Sequence, residues 1–211
     1  MPDAVVGGTV GPTGTTRATD GSPLTAALGP GGEWLVSERM PRYEELAWRG
    51  QLFMARAVVT APVIFSTAAG TGGPFIWNGS GKVNVVPLAL GFGQTVSATV
   101  AAALGLTGGT GQVVAPTATT AADSLTNMFL GAGQPAASAY RVATPTAAGT
   151  FFLPLADVDT GALTTGVGGF NWIELAGMMI VPPNAWIAVA ASATASTLVA
   201  QTALIWAEVP V

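Results

Sequence analysis

The sequence predicts an all-β fold: an antiparallel β-sandwich or jelly roll with an extended N-terminal arm and one short helix near residues 41–49. The first supporting observation is a series of short segments in which apolar residues alternate with small or polar ones, as in half-buried strands. The second is the abundance of turn-forming residues between these segments: 28 glycines and 15 prolines are spread over 211 residues. The third is the lack of helical patterns between the strands, which a parallel α/β fold would need.

Residues 1–32 form the first segment, predicted to be an extended or flexible arm. The run from Gly7 to Thr16 is rich in glycine and threonine and cannot bury enough apolar surface to offset the entropy lost on ordering. Residues 29–32 read Gly-Pro-Gly-Gly, which is typical of a hinge. The arm is therefore expected either to stay disordered or to become ordered on a partner.

Residues 33–56 form a charged segment that contains the predicted helix and the start of the first strand. Eight of the 18 charged residues of the chain fall within this segment. Pro41 suits the first turn of a helix, and Gly50 suits its C-terminal cap. Glu45 and Arg49 lie four residues apart, so they can pair on one helix face.

Residues 57–211 are predicted to form the β-sandwich body. Pro87 predicts an edge strand or a bulge. The last strand has apolar residues on both faces, so we expect it to be central in its sheet or covered by a partner. The predicted strands are 51–59, 62–67, 74–78, 86–92, 95–106, 127–130, 139–143, 150–155, 171–181, 185–192 and 197–209.

The composition excludes many kinds of chemistry. The chain has no cysteine and no histidine, so disulfides, thiol nucleophiles, imidazole bases and the usual zinc or iron–sulfur sites are impossible. Seven basic residues and a net charge of −4 argue against a nucleic-acid partner. We therefore expect no catalytic, cofactor-binding or metal-binding residues and no enzymatic activity.

The two longest uncharged stretches, 83–122 and 175–207, raise the question of membrane insertion. Repeated glycines and prolines interrupt the first, and Pro182-Pro183-Asn184 interrupts the second. Neither offers about 20 strongly apolar residues in one helix. The N-terminus lacks the basic start and apolar run of a signal peptide. We expect a protein that is made in the host cytoplasm and has no membrane partner.

Three short motifs match known binding motifs only in part. Gly131–Ala136 fits GxGxxA but is not followed by a helical pattern, and Gly79–Lys82 lacks the first glycine of a phosphate loop. Asp157–Gly161 has the carboxylate spacing of a calcium loop, yet its twelfth position is Gly168 rather than Glu. We interpret all three as turns, and leave an adventitious cation site open at Asp157–Gly161.

The surface is the most informative feature of the sequence. Charged residues make up 9% of the chain, against roughly 25% in ordinary soluble domains. A protein surface with so few charges either consists largely of small polar residues or is covered by neighbouring subunits. Tryptophans outside a core are typical of interfaces. We therefore predict that the charged segment contacts a partner, through the candidate interface residues Trp34, Arg39, Arg42, Tyr43, Trp48 and Arg49.

Three stretches of the sequence form a recognisable pattern: Glu33-Trp34 through Tyr43 to Trp48-Arg49-Gly50, the stretch Val181–Ile187, and Ala203–Pro210. They resemble virion structural proteins of tailed bacteriophages, of the capsid decoration (cement) type. The resemblance implies a jelly-roll or sandwich fold, a location in the virion and a symmetric homo-oligomer, often a trimer. It implies no catalytic residues.

Two functions follow as expectations. The first is a cement protein that binds the major capsid protein as a homotrimer, with its arm on the capsid lattice and no cofactor. The second is a receptor- or glycan-binding fibre or head-spike module with Trp77 and Trp172 exposed on one rim. A hydrolase with an unrecognised carboxylate pair is a third and weaker alternative, since so few acidic residues are present.

Overall fold

A computed structural model describes residues 43–60, 71–96, 102–147, 149–158, 170–191 and 198–211. The predicted arm (1–32), the first ten residues of the charged segment and the predicted strand 62–67 lie outside the described residues. In the part of the chain that is described, no helix has the length and apolarity needed to cross a bilayer.

Within the described residues, the fold consists of one short helix and eleven strands. All strand pairings are antiparallel. The elements are α1 (Glu44–Trp48), β1 (Leu52–Thr60), β2 (Thr71–Asn78), β3 (Val83–Val96), β4 (Ala102–Thr110), β5 (Thr117–Ala121), β6 (Ser124–Asn127), β7 (Ser138–Thr144), β8 (Thr150–Val158), β9 (Phe170–Glu174), β10 (Ala185–Ala191) and β11 (Val199–Pro210).

The strands form two sheets with the order of a jelly roll. Sheet 1 runs β6-β1-β11-β3-β9 and sheet 2 runs β5-β7-β2-β10-β4-β8. Without β5, β6 and β7, the remaining eight strands follow the orders first-eighth-third-sixth and second-seventh-fourth-fifth, which is the double Greek key of a jelly roll. The predicted fold class is therefore confirmed. The three extra strands are an insertion that extends both sheets.

The core lies between the two sheets and follows the period-two alternation of the strands. Phe53, Leu204 and Trp206 face it from sheet 1, and Ile76 and Ile187 face it from sheet 2. Strand β11 lies between β1 and β3 at the centre of sheet 1. The prediction that the last strand is central is confirmed, and so is the bulge at Pro87, where the β3–β11 register shifts.

Both sheets also carry apolar residues on their outer faces. On sheet 1, helix α1 covers Leu52, Leu88 and Ala207 with Tyr43 and Leu46. On sheet 2, a second cluster contains Phe75, Ala143, Trp186 and Ala188, with the rings of Phe75 and Trp186 stacked 5.0 Å apart. These covered outer faces explain why strands such as β10 are buried along their whole length.

Three predicted strands are divided, shortened or replaced by a turn in the structure. The run 95–106 is divided, because β3 ends at Val96 in sheet 1 and β4 begins at Ala102 in sheet 2. Only 171–174 of the predicted strand 171–181 belongs to a regular strand, β9, which is followed by a turn at 176–177. The segment 128–130 forms bends and a turn after β6 rather than a strand. Alternation detects an extended backbone locally, but not where a chain leaves one sheet for the other.

Candidate interaction surface

Helix α1 starts the candidate surface and ends in a well-formed cap. The Gly50 N–H donates to the Ala47 carbonyl at 2.9 Å, and the Gln51 N–H donates to the Leu46 carbonyl at 2.9 Å. Gly50 has a φ of 66°, as the C′ residue of a Schellman motif requires. The predicted glycine cap is confirmed, and it turns the chain from the helix directly into β1.

Asn127, at the end of β6, connects this cap to the following loop. Its side chain is almost fully buried, and its Nδ2 donates to the carbonyls of Gly50 and Gly133, both at 2.9 Å. Its Oδ1 accepts from the Phe129 N–H at 2.9 Å. One amide side chain therefore holds the helix end and both ends of the bend 128–133 together.

Glu208, near the end of β11, holds the far side of the same loop. The carboxylate is 6% exposed, and its two oxygens accept from the backbone N–H groups of Ala136 and Ala137, both at 2.8 Å. Hydrogen bonds from backbone N–H groups to a carboxylate are among the stronger ones in proteins. The loop 128–137 is thus held by two buried polar side chains that come from different strands.

The loop presents apolar side chains to solvent. Leu130 is 81% exposed, Phe129 is 44% exposed and Met128 is also exposed. Trp48, on α1, is 53% exposed and packs its ring against Phe129 at a centroid distance of 5.6 Å. We call these four side chains the apolar tip. No residue of the loop 128–137 is charged, so this surface is suited to contact with another apolar surface.

The structure describes three of the six predicted interface residues, and places them differently. Trp48 and Arg49 are exposed, and the Trp48 Nε1 donates to the Glu44 carboxylate at 3.2 Å. Tyr43 is half-buried against sheet 1. The other three, Trp34, Arg39 and Arg42, lie outside the described residues, and so does the side chain of Glu45, the predicted partner of Arg49.

Sequence reasoning did not find Met128, Phe129, Leu130, Asn127 or Glu208. The apolar triplet was interpreted as strand, although the Gly131-Ala132-Gly133 that follows it signals a turn. A single buried glutamate at the end of an apolar strand is unusual enough to mark Glu208 for a structural role. Its partners at Ala136 and Ala137, however, are more than 70 residues away in the chain.

The remaining motifs take ordinary places in the described structure. Lys82 is exposed in the turn before β3, as predicted for an exposed lysine. The residues of Gly131–Ala136 belong to the loop 128–137. Among the described residues, no three acidic side chains converge where they could hold a metal ion. The segment Asp159–Gly161 of the possible calcium loop lies outside the described residues.

The two tryptophans proposed for a glycan site lie on different faces of the sandwich. Trp77, on β2, belongs to the outer cluster of sheet 2 and donates its Nε1 to the Gln112 carbonyl at 2.9 Å. Trp172 pairs with Gly91 at the β9 edge of sheet 1, while its neighbour Ile173 packs against the core. Trp172 therefore faces away from sheet 2, and these two side chains do not share one rim.

Comparison of the chain with protein-family models, curated proteins and solved structures returns no significant match.

Proposed function

We propose that this chain is a non-enzymatic virion structural protein, a capsid decoration protein that binds the outer capsid lattice as a homo-oligomer and stabilises it. The observation that carries the proposal is the apolar tip, which two buried polar side chains hold outward on a charge-poor body. Viral capsid proteins are among those that use the jelly-roll architecture. Because a fold by itself does not determine function, the tip and the surface carry more weight than the topology.

The low charge of the chain supports a role in a lattice. With 18 charged residues in 211, the protein has little of the electrostatic repulsion that keeps soluble monomers apart. A decoration protein makes many equivalent contacts at once, so weak individual contacts add up to high avidity. In this proposal the body forms a trimer, and residues 1–32 together with Trp34, Arg39 and Arg42 contact the major capsid protein.

Cryo-electron microscopy of the native particle tests the proposal directly. We expect the jelly roll on the outer capsid surface, at symmetric positions that contact two or more capsid subunits. Density for this chain in a fibre or a spike would favour the alternative function. Absence of the chain from purified particles would contradict both.

Removal of the arm tests the role of residues 1–32. Particles from which the protein has been dissociated are incubated with the full chain or with a chain that lacks these residues. We expect the full chain to rebind and the truncated chain to remain in solution with an unchanged β-type circular dichroism spectrum. Equal occupancy by both chains would refute the role of the arm.

A receptor- or glycan-binding module remains the second candidate, but no contact in the described structure favours it. Trp77 and Trp172 lie on opposite outer faces, and the Nε1 of Trp77 is already bonded to a backbone carbonyl. A glycan array with Trp172→Ala as the matched variant measures this directly. If the wild type binds a glycan and Trp172→Ala does not, the glycan-binding function would replace our proposal.

A further inference from the structure

A shallow apolar groove lies at the same end of the sandwich as the apolar tip. Its cavity measures about 190 Å³, and its lining includes Gly109 on β4, Phe152 on β8, Ile180 and Pro182 in the segment before β10, and Trp186 on β10. Ile180 is 61% exposed and Phe152 is 46% exposed. The groove therefore offers an open apolar surface rather than a closed core void.

The strand pairings show that the tip and the groove share one end. Leu52, which accepts the Met128 N–H, pairs with Ala207 near the end of β11. The end of β11 pairs with the start of β3, and Val85 on β3 exchanges two hydrogen bonds with Val181 in the groove. Both apolar surfaces thus lie at the end of the sandwich where β1, β3 and β10 begin.

They nevertheless lie on opposite lateral sides of that end. The tip is at the β6–β1 side of sheet 1, and β1 packs on β2 and β7 of sheet 2. The groove lies across β10, β4 and β8, at the other side of sheet 2. About three inter-strand spacings, roughly 15 Å, separate the two surfaces. A copy whose tip is held by Asn127 and Glu208 therefore cannot place that tip in its own groove.

Hydrogen bonds also fix the backbone of the segment that lines the groove before β10. The buried side chain of Asn78 donates its Nδ2 to the carbonyl of Val181 at 3.0 Å and to that of Val83 at 2.8 Å. The Ala185 N–H donates to the Pro182 carbonyl at 3.1 Å. Because both the tip and the groove are preformed, little ordering entropy opposes contact between them.

The two surfaces match in chemistry and size. None of the groove-lining residues and no residue of the loop 128–137 is charged, so contact leaves no charge buried without a partner. An apolar cavity of about 150 Å³ can hold a benzene ring. The groove at about 190 Å³ therefore has room for the side chain of Phe129 or Leu130.

The area available also fits a contact between proteins. With roughly 200 Å² for each fully exposed large side chain, the four side chains of the tip expose roughly 400 Å² of mostly apolar surface. A matching area on the partner brings the total to roughly 800 Å², which is the apolar share of a standard interface at the lower end of its size range. On a second copy, the exposed side chains of Ile180 and Phe152 at the groove supply part of that area.

We propose that copies of this chain associate head to tail, with Leu130 of one copy in the apolar groove of the next and Phe129 against the rim of that groove. This contact is heterologous, so it closes into a ring or continues as a filament, according to the rotation between neighbours. The inference deepens the self-association part of the proposed function and rests on that part, but it does not require capsid binding.

Cross-linking tests the contact cleanly, because the chain has no cysteine. Leu130→Cys and Ile180→Cys chains are purified separately, mixed and oxidised. We expect a disulfide-linked pair in the mixture and at most traces with either chain alone, since cysteines link only when their Cα atoms lie within about 7 Å. A mixture of Thr119→Cys and Ile180→Cys, with Thr119 exposed on the edge strand β5, controls for random collision.

Two cross-linking results would overturn the inference. One is a mixture that links no more than the Thr119→Cys control. The other is Leu130→Cys linking to itself as strongly as in the mixture, which indicates tip-to-tip association. Light scattering adds an independent readout: Leu130→Asp should reduce the mass of the oligomer to that of one chain with an unchanged circular dichroism spectrum. An oligomer that survives this substitution would also contradict the proposal.

The same variants separate this inference from the proposed function. Cross-linking without capsid density means that the head-to-tail contact is correct and the decoration role is wrong. Capsid density without cross-linking means that the decoration role is correct and the head-to-tail contact is wrong. A wild-type chain that remains monomeric at high concentration refutes the head-to-tail contact together with the trimer.

Discussion

Two loops of the molecule are held by buried polar side chains in the same way, but one faces solvent and the other faces the protein. Glu208 and Asn127 hold the loop 128–137 through backbone groups. Gln112 is fully buried and holds the loop 145–149, of which Ala148 lies outside the described residues. It does so by accepting from the Thr146 and Ala147 N–H groups, both at 2.9 Å.

The difference between the loops is where their apolar contacts go. The second loop packs on the outer cluster of sheet 2, since a Cβ at Gly149 would come within 2.5 Å of the Trp186 ring. The first loop turns Leu130 to solvent instead. Burial of Trp186 stabilises the fold, whereas an exposed apolar tip contributes almost nothing to it. An apolar loop that is held in place but left exposed is the feature on which our proposals rest.

The largest effect on stability is expected when the Glu208 carboxylate, the clamp of the outward-facing loop 128–137, is removed. Glu208→Ala leaves the N–H group of the buried Ala137 without an acceptor and removes the acceptor of the Ala136 N–H, so we expect the free energy of unfolding to fall by about 2–4 kcal/mol. Urea unfolding measures this loss, and amide hydrogen exchange should become faster at both residues. Glu208→Gln restores one acceptor, so its loss should be smaller. Unchanged stability in Glu208→Ala would show that the clamp is dispensable.

The matched change in the inward-facing loop is Gln112→Ala. It removes two accepted hydrogen bonds and the two that Nε2 donates to the Val114 carbonyl and the Thr146 hydroxyl. We expect a similar loss of about 2–4 kcal/mol. Faster exchange should appear at Thr146 and Ala147, while Ala136 stays protected. Loss of protection in both loops at once would contradict their independence.

Glycine substitutions probe how closely each loop approaches its neighbours. Gly149→Ala places a methyl group against the Trp186 ring and within 2.7 Å of the Gly108 carbonyl. The resulting overpacking should destabilise the protein by about 1–3 kcal/mol. Gly133→Ala is the control, because its Cβ would meet no atom within 4 Å. Thermal unfolding compares the two variants, and equal melting temperatures would argue against the close packing of the inward-facing loop.

The smallest effect on folding should come from the tip itself. Leu130→Ala removes exposed methyl groups, so we expect the free energy of unfolding in dilute solution to change by less than about 0.5 kcal/mol. Leu106→Ala, the same substitution at a fully buried position, should cost about 2–5 kcal/mol. A large loss in Leu130→Ala would mean that the tip serves the fold rather than a partner.

Much of the fold could be predicted from local patterns. Strands β1, β7, β10 and β11 lie within two residues of their predicted bounds, because alternation and turn residues act over a few positions. The Gly50 cap was predictable for the same reason. The sequence predicts only part of the candidate surface: Trp48 and Arg49 are predicted from the charged segment 33–56, whereas residues 127–130, which include the apolar triplet beside Trp48, are predicted as a strand.

The sequence by itself determined an all-β, charge-poor protein without histidine or cysteine chemistry, the positions of most strands and the end of the one helix. All of these depend on residue types or on neighbours a few positions apart. Only the tertiary structure decided the sheet order, the division of the run 95–106 between two sheets and the clamps beneath the tip. Asn127 bonds to Gly50 across 77 residues and Glu208 to Ala137 across 71. Contacts over such distances depend on how strands pair, and a local period does not encode that pairing.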